Sequence, residues 1–180
     1  GVSFYNPRLY SIGLIRLGGG EADSPVRVIS DLVEVNRKLI TGYRRGISIV
    51  DLSDGRISDL DLTRLIRKES SESELFHLAG LSDGTILIYI LNVGIFSFDP
   101  DRQTLVPVYE GLSSTSQIRT IEEDAEGNLW LAADELCRVD RRSGTVSRDL
   151  STNYNGYTRY MLTQDICREK NGDMLVGTRN

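Results

Sequence analysis

The chain is poor in the residues from which most catalytic and metal centres are built. Among its 180 residues stand a single histidine, His77, a single tryptophan, Trp130, and two cysteines, Cys137 and Cys167. A zinc or iron site made from His and Cys needs clustered ligands. One imidazole and two thiols thirty residues apart supply no cluster, so neither a metal nor a cofactor is expected, and no catalytic residue is assigned. The cysteines fall in neighbouring repeats of the pattern described below, and they read as two buried thiols rather than a disulfide. His77 lies in Leu75-Phe76-His77-Leu78-Ala79, where alternation sets it opposite Phe76 and Leu78. A structural or surface role is expected of it rather than that of a general base. Also missing is any run near the roughly 18 apolar residues of a membrane span, and no signal peptide opens the chain. The net charge of −5 argues against a general nucleic-acid binder, because phosphate contact needs a basic face. With 39% hydrophobic and 26% charged residues, the composition is that of a soluble globular domain large enough for one core.

What is present is repetition. A small residue followed by alternating apolar positions and ending in Asp or Asn opens Gly1-Val2-Ser3-Phe4-Tyr5-Asn6, Gly46-Ile47-Ser48-Ile49-Val50-Asp51 and Gly94-Ile95-Phe96-Ser97-Phe98-Asp99. A weaker copy runs Glu135-Leu136-Cys137-Arg138-Val139-Asp140. The openers at positions 1, 46, 94 and 135 are spaced 45, 48 and 41 residues apart. Upstream of each later run lies a second: Lys38-Leu39-Ile40-Thr41-Gly42, Thr85-Ile86-Leu87-Ile88-Tyr89 and Asn128-Leu129-Trp130-Leu131-Ala132. A fourth, Asp173-Met174-Leu175-Val176-Gly177-Thr178, stands near the carboxyl end. Apolar alternation in stretches of about five, bounded by Gly, Asn and Asp, reads as short strands joined by tight turns. A period of about 40 to 50 residues holding about four strands is the size of one propeller blade.

The expected fold is therefore all-β, with about four four-stranded antiparallel β-propeller repeats, one of them split between the termini, as part of a larger propeller. Boundaries are placed at about 1–25 for the end of a blade, 26–70, 71–112 and 113–158 for whole repeats, and 159–180 for the start of a blade. One short helix is expected over Asp59 to Ser70, where Leu62, Leu65 and Ile66 fall at i, i+3 and i+4 behind acidic residues.

Asp124-Ala125-Glu126-Gly127-Asn128-Leu129-Trp130-Leu131, within the segment from Gly111 to Asp140, resembles the two-component regulator propeller repeat. Asn171-Gly172-Asp173-Met174-Leu175-Val176-Gly177-Thr178 is a second match, with Met174 and Leu175 where the family often has Leu and Trp. Leu87 and Ile40 replace that Trp in the remaining copies. The resemblance implies a piece of the periplasmic sensor region of a hybrid two-component histidine kinase, anchored in the inner membrane by segments outside these residues. It implies recognition of an oligosaccharide and signalling to a kinase elsewhere in the parent. A signal sequence upstream is then supposed.

The turn residues of the repeats have a plainer reading. Asp124 with Gly127, Asp83 with Gly84 and Asn171 with Gly172 are expected to serve turns, through side-chain acceptance and positive φ. Asp124-Ala125-Glu126 has too few carboxylates for a calcium loop. Trp130 is expected to pack between blades.

Ligand contacts are sought in the connections. In a four-stranded blade the link between strands two and three and the link to the next blade emerge on one rim. Tyr43-Arg44-Arg45 falls in the first kind of link, and Ser151 to Tyr160 in the second. Tyr154, Asn155, Tyr157, Arg159 and Tyr160 combine flat apolar faces for a pyranose with amide and guanidinium donors for its hydroxyls. The competing reading is that these tyrosines pack on the next blade. Arg44 and Arg45 would also suit an acidic sugar or sulfate.

Three classes follow: a ligand-binding sensor, a non-catalytic scaffold for protein–protein interaction, and a propeller enzyme. The enzyme is weakest with His77 as sole imidazole. The partners expected are an oligosaccharide and the remaining propeller blades or a second copy of the chain, with no nucleic acid and no membrane insertion by this segment.

Overall fold

The computed structural model describes residues 2–6, 11–15, 29–43, 46–62, 66, 75–109, 112, 117–148, 153–154, 157–158 and 162–179. Its strands are β1 (Val2–Asn6), β2 (Ser11–Ile15), β3 (Ile29–Val35), β4 (Lys38–Tyr43), β5 (Gly46–Asp51), β6 (Ile57–Asp61), β7 (Leu75–Gly80), β8 (Ile86–Ile90) and β9 (Gly94–Asp99). There follow β10 (Thr104–Val108), β11 (Thr120–Glu123), β12 (Leu129–Ala132), β13 (Leu136–Val139), β14 (Val146–Ser147), β15 (Asn153–Tyr154), β16 (Tyr157–Thr158), β17 (Leu162–Arg168) and β18 (Met174–Arg179).

Three antiparallel sheets of four strands form in simple meander order, β3 to β6, β7 to β10 and β11 to β14. The pairs β1–β2, β15–β16 and β17–β18 are two-stranded sheets of their own. The first strands of successive sheets approach one another, β3 beside β7, β7 beside β11 and β11 beside β17. The sheets thus fan out from their first strands, as blades of a β-propeller do.

The core lies between sheets, and strand alternation builds it. In β8 all five residues are buried. Ile86, Ile88 and Ile90 pack with Ile40, Ile47 and Ile49 of the preceding sheet, while Leu87 and Tyr89 pack with Leu129, Leu131 and Val139 of the following one. Successive side chains of a strand point to opposite faces, so one short apolar run serves two cores. Each fully buried Ile or Leu contributes roughly 1.5–3 kcal/mol relative to exposure.

The turns between first and second strands are built as their residues suggest. Asp124 Oδ1 accepts the amides of Glu126 at 3.1 Å and Asn128 at 2.7 Å, and Gly127 takes φ 83°. Thr85 N–H donates to Asp83 Oδ1 at 2.9 Å, and Asp173 N–H to Asn171 Oδ1 at 3.0 Å. Asp124 does more than turn the chain. Trp130 Nε1 donates to its Oδ2 at 2.9 Å, and the Arg138 guanidinium stands 5.9 Å from the indole centroid. The Asp-x-x-Gly-x-x-Trp spacing therefore fixes the indole to the turn, with the ring half-buried on the strand.

Two expectations are corrected. Asp59, Leu60 and Asp61 belong to β6, where Leu60 pairs with Ile47 and Asp61 with Gly46. Pairing with β5 satisfies their backbone; Leu62 is helical, with Ile66 N–H donating to Leu62 C=O at 3.1 Å, and residues 63–65 and 67–70 of the expected helix lie outside the described residues. Cys137 is buried as expected, but Cys167 is exposed, and both thiols are free. Cys167 lies on β17, whose two-stranded sheet leaves it open to solvent.

Candidate functional site

Tyr43 ends β4, and its ring lies over Gly46, where an added Cβ would stand 2.5 Å from the phenol oxygen. The Tyr43 hydroxyl donates to Leu60 C=O at 3.5 Å. Glycine at position 46 is thus what lets this tyrosine fold back across its own hairpin. Arg44 and Arg45 lie outside the described residues. In the long connection after β14, β15 and β16 form a small hairpin in which Tyr154 pairs with Tyr157 and Asn153 with Thr158. Asn155, Arg159 and Tyr160 lie outside the described residues.

On the rim carrying the turns between first and second strands, charges tie one blade to the next. Arg141 Nη1 reaches Glu123 Oε1 at 2.9 Å and its Nη2 reaches Asp83 Oδ2 at 2.6 Å. Glu123 Oε2 also accepts the Ser82 amide at 2.6 Å. The Thr85 amide, against a smaller opposing effect of burial, and Arg141 hold the Asp83 carboxyl down at about 2. Lys38 pairs with Asp101 across the first two sheets. These are structural bonds.

A second feature lies on the first strands. After a register shift in β3, β7 and β17, the residues Asp31, His77 and Asp165 pair with Gly42, Tyr89 and Gly177, and Thr120 holds the corresponding place opposite Ala132. Asp31 accepts its own neighbour's amide, Leu32 N–H, at 2.8 Å and that of Leu78 in the next blade at 2.8 Å. His77 Nδ1 lies 2.6 Å from the same carboxylate. Burial pushes the Asp31 carboxyl up, but the bonds from His77 and Leu78 outweigh it and leave the pKa below the ordinary value. His77 therefore joins blade to blade.

Beside this pair runs an open groove of about 430 Å³, lined by Asp31, Leu32, His77, Ser82, Glu122 and Arg168 among others. Glu122 is half-buried, and burial pushes its carboxyl above the ordinary value despite the charges of Arg168 and His77 nearby. Arg168 Nη1 donates to Asp124 C=O at 3.2 Å. Among the described residues no group of His, Cys, Asp and Glu is arranged to hold a metal ion. The groove offers acceptors, a guanidinium and an apolar floor. Sequence reasoning singled out His77 but missed Asp31, Glu122 and Arg168. The signal available was their place in the first strand of each repeat.

Residues 111–135, covering β11, β12 and the turn between them, match the family described as two component regulator propeller. The chain carries a two component regulator propeller repeat. Solved structures agree in fold. The extracellular domain of the putative one component system BT4673 from B. thetaiotaomicron matches with TM-score 0.67 and 18% identity, over 99% of this chain and 22% of that one. The extracellular domain of the putative hybrid two component system BT3049 from the same organism matches with TM-score 0.66 and 16% identity, over 97% and 22%. An auxiliary nutrient binding protein from Bacteroides ovatus matches with TM-score 0.57 and 12% identity, over 82% and 35%. The chain spans about a fifth of the length of the first two. No curated protein matches it. Among the described residues of this propeller segment, no helix is long and apolar enough to cross a membrane.

Proposed function

We propose that the chain is a ligand-sensing segment of the extracytoplasmic propeller of a hybrid two-component regulator, recognising an oligosaccharide and signalling to a kinase outside these residues. The observation that carries this reading is the regulator propeller repeat at residues 111–135. The likeness in fold to extracellular domains of two sensor systems and to a nutrient binding protein supports it. The address is the periplasm, with the parent anchored in the inner membrane. The segment acts by binding and does no chemistry of its own. Its rim contacts are Tyr43, Arg44 and Arg45 on one connection and Tyr154, Asn155, Tyr157, Arg159 and Tyr160 on another, with tyrosine faces for sugar C–H surfaces and Asn and Arg donors for hydroxyls.

Thermal shift and calorimetric titration against a panel of plant and host oligosaccharides test the reading. At least one member is expected to raise the melting temperature, since a ligand that binds only the folded state stabilises it. Tyr157→Ala or Arg159→Ala is expected to weaken that binding while the domain stays folded. Unchanged affinity in both variants removes this connection from the site. No shift with any glycan, together with capture of a defined protein partner, favours a scaffold instead.

A further inference from the structure

Resting on the oligosaccharide reading, we infer that the groove on the first strands of the blades is a saccharide subsite that takes an uncharged, polyhydroxylated unit, gripped by Glu122 and Arg168. Its volume of about 430 Å³ lies within the usual range for small-ligand sites, roughly 300–1,000 Å³.

The charges select the class. Glu122 makes no ion pair among the described residues, and the backbone donor it has is the Glu123 amide. An ionised carboxylate has about four acceptor positions, so Glu122 keeps capacity for two vicinal hydroxyls. Arg168 spends one N–H on Asp124 C=O and has others to donate. The Asp31 carboxylate beside His77 adds a second acceptor. An anionic sugar would meet two carboxylates, Asp31 and Glu122, and like charges in a half-buried site repel. A neutral sugar meets no such penalty.

The floor fits the other half of a pyranose. Leu32, Leu78, Ala79 and Ile121 line the groove beside these groups. Apolar lining next to polar groups suits the C–H face of a sugar ring. As first strands, β3, β7 and β11 are edge strands of their sheets, and their outward backbone groups add donors and acceptors along the same wall.

Titration of the folded chain with neutral xylo-, malto- and galacto-oligosaccharides, and with oligogalacturonate and heparin fragments as anionic counterparts, tests the inference. A neutral member is expected to bind, and Glu122→Gln to weaken it about tenfold or more through loss of charge-assisted hydrogen bonds, with the melting temperature unchanged. If a neutral glycan binds and Glu122→Gln leaves its affinity within about twofold, the groove is not the subsite and the sensing reading stands. Binding of anionic fragments alone overturns the ligand class. Binding of none overturns the sensing reading and the subsite with it.

Discussion

Strands β8 and β18 occupy the same place in their blades, second from the inside, and they show opposite burial. All five residues of β8 are buried, whereas β18 alternates between half-buried and exposed, with Leu175 at 49%. Their sequences, Ile86-Leu87-Ile88-Tyr89-Ile90 and Met174-Leu175-Val176-Gly177-Thr178-Arg179, differ less than this. What differs is the number of neighbours. β8 has a sheet on each side, while β18 belongs to a two-stranded sheet with partners towards β11 and β12 through β17. Burial in this molecule is thus conferred by the next blade and not by the strand itself, as in other repeat architectures where each unit leans on its neighbours.

The sharpest way to break this comparison is to truncate one residue in each strand. Ile88→Ala is expected to cost about 2–5 kcal/mol, the usual range for emptying a packed core position. Leu175→Ala is expected to cost less than about 1 kcal/mol, as for a surface substitution. Urea unfolding midpoints at constant slope measure both. Equal losses would mean that β18 is covered in solution, and the contrast would fail.

A smaller effect is expected at the charged seam between the second and third sheets. Arg141 joins Asp83 of one blade to Glu123 of the next. Asp83 is half-exposed, so its bond to Arg141 is partly screened. Its folded pKa of about 2 lies below the ordinary 3.8. A carboxylate depressed in this way stabilises the fold fully above its unfolded pKa, and that stabilisation is lost as the pH falls from about 4 through about 2. Arg141→Ala removes part of the depression, so the acid unfolding transition is expected to move to higher pH, with little change near neutrality beyond the lost pair. Acid titration followed by circular dichroism reads it. An unmoved transition would assign Asp83 wholly to its own turn, where the Thr85 amide is the largest influence.

Much of the fold was legible because its signals are local. Apolar alternation in Gly46 to Asp51 or Thr85 to Tyr89 needs only a pleated strand with covered faces, and Asp124, Gly127 and Trp130 report a turn whose bonds lie within six residues. The misread segment, Asp59 to Asp61, shows the limit. Its acidic residues suit a helix start, yet pairing with β5 prevails. The candidate groove was hidden for a related reason. Asp31, His77, Glu122 and Arg168 stand 46, 45 and 46 residues apart in turn, and each looks like an ordinary strand residue until the blades bring them together. The tyrosine-rich connection stood out by composition alone, and composition could not show that Tyr154 and Tyr157 pair across a hairpin.

The least perturbing probe of the contrast between inner and outer blades needs no mutation, because each region carries one thiol. Cys137 sits on β13 at 3% exposure within the core shared by the second and third sheets. Burial there pushes its thiol up to about 11. Cys167 on β17 is exposed. The thiolate is the reactive species, so at pH 8 a small aromatic disulfide reagent is expected to label Cys167 quickly and Cys137 only as fast as the inner sheets open. The count per chain should step from one to two in urea, at the midpoint where the fold is lost. If Cys137 reacts well before that midpoint, the sheets separate locally under native conditions, and the interface that buries β8 is weaker than its packing implies. Should both thiols react slowly in the native protein, β17 is covered in solution, which would also explain any unexpectedly large loss at Leu175.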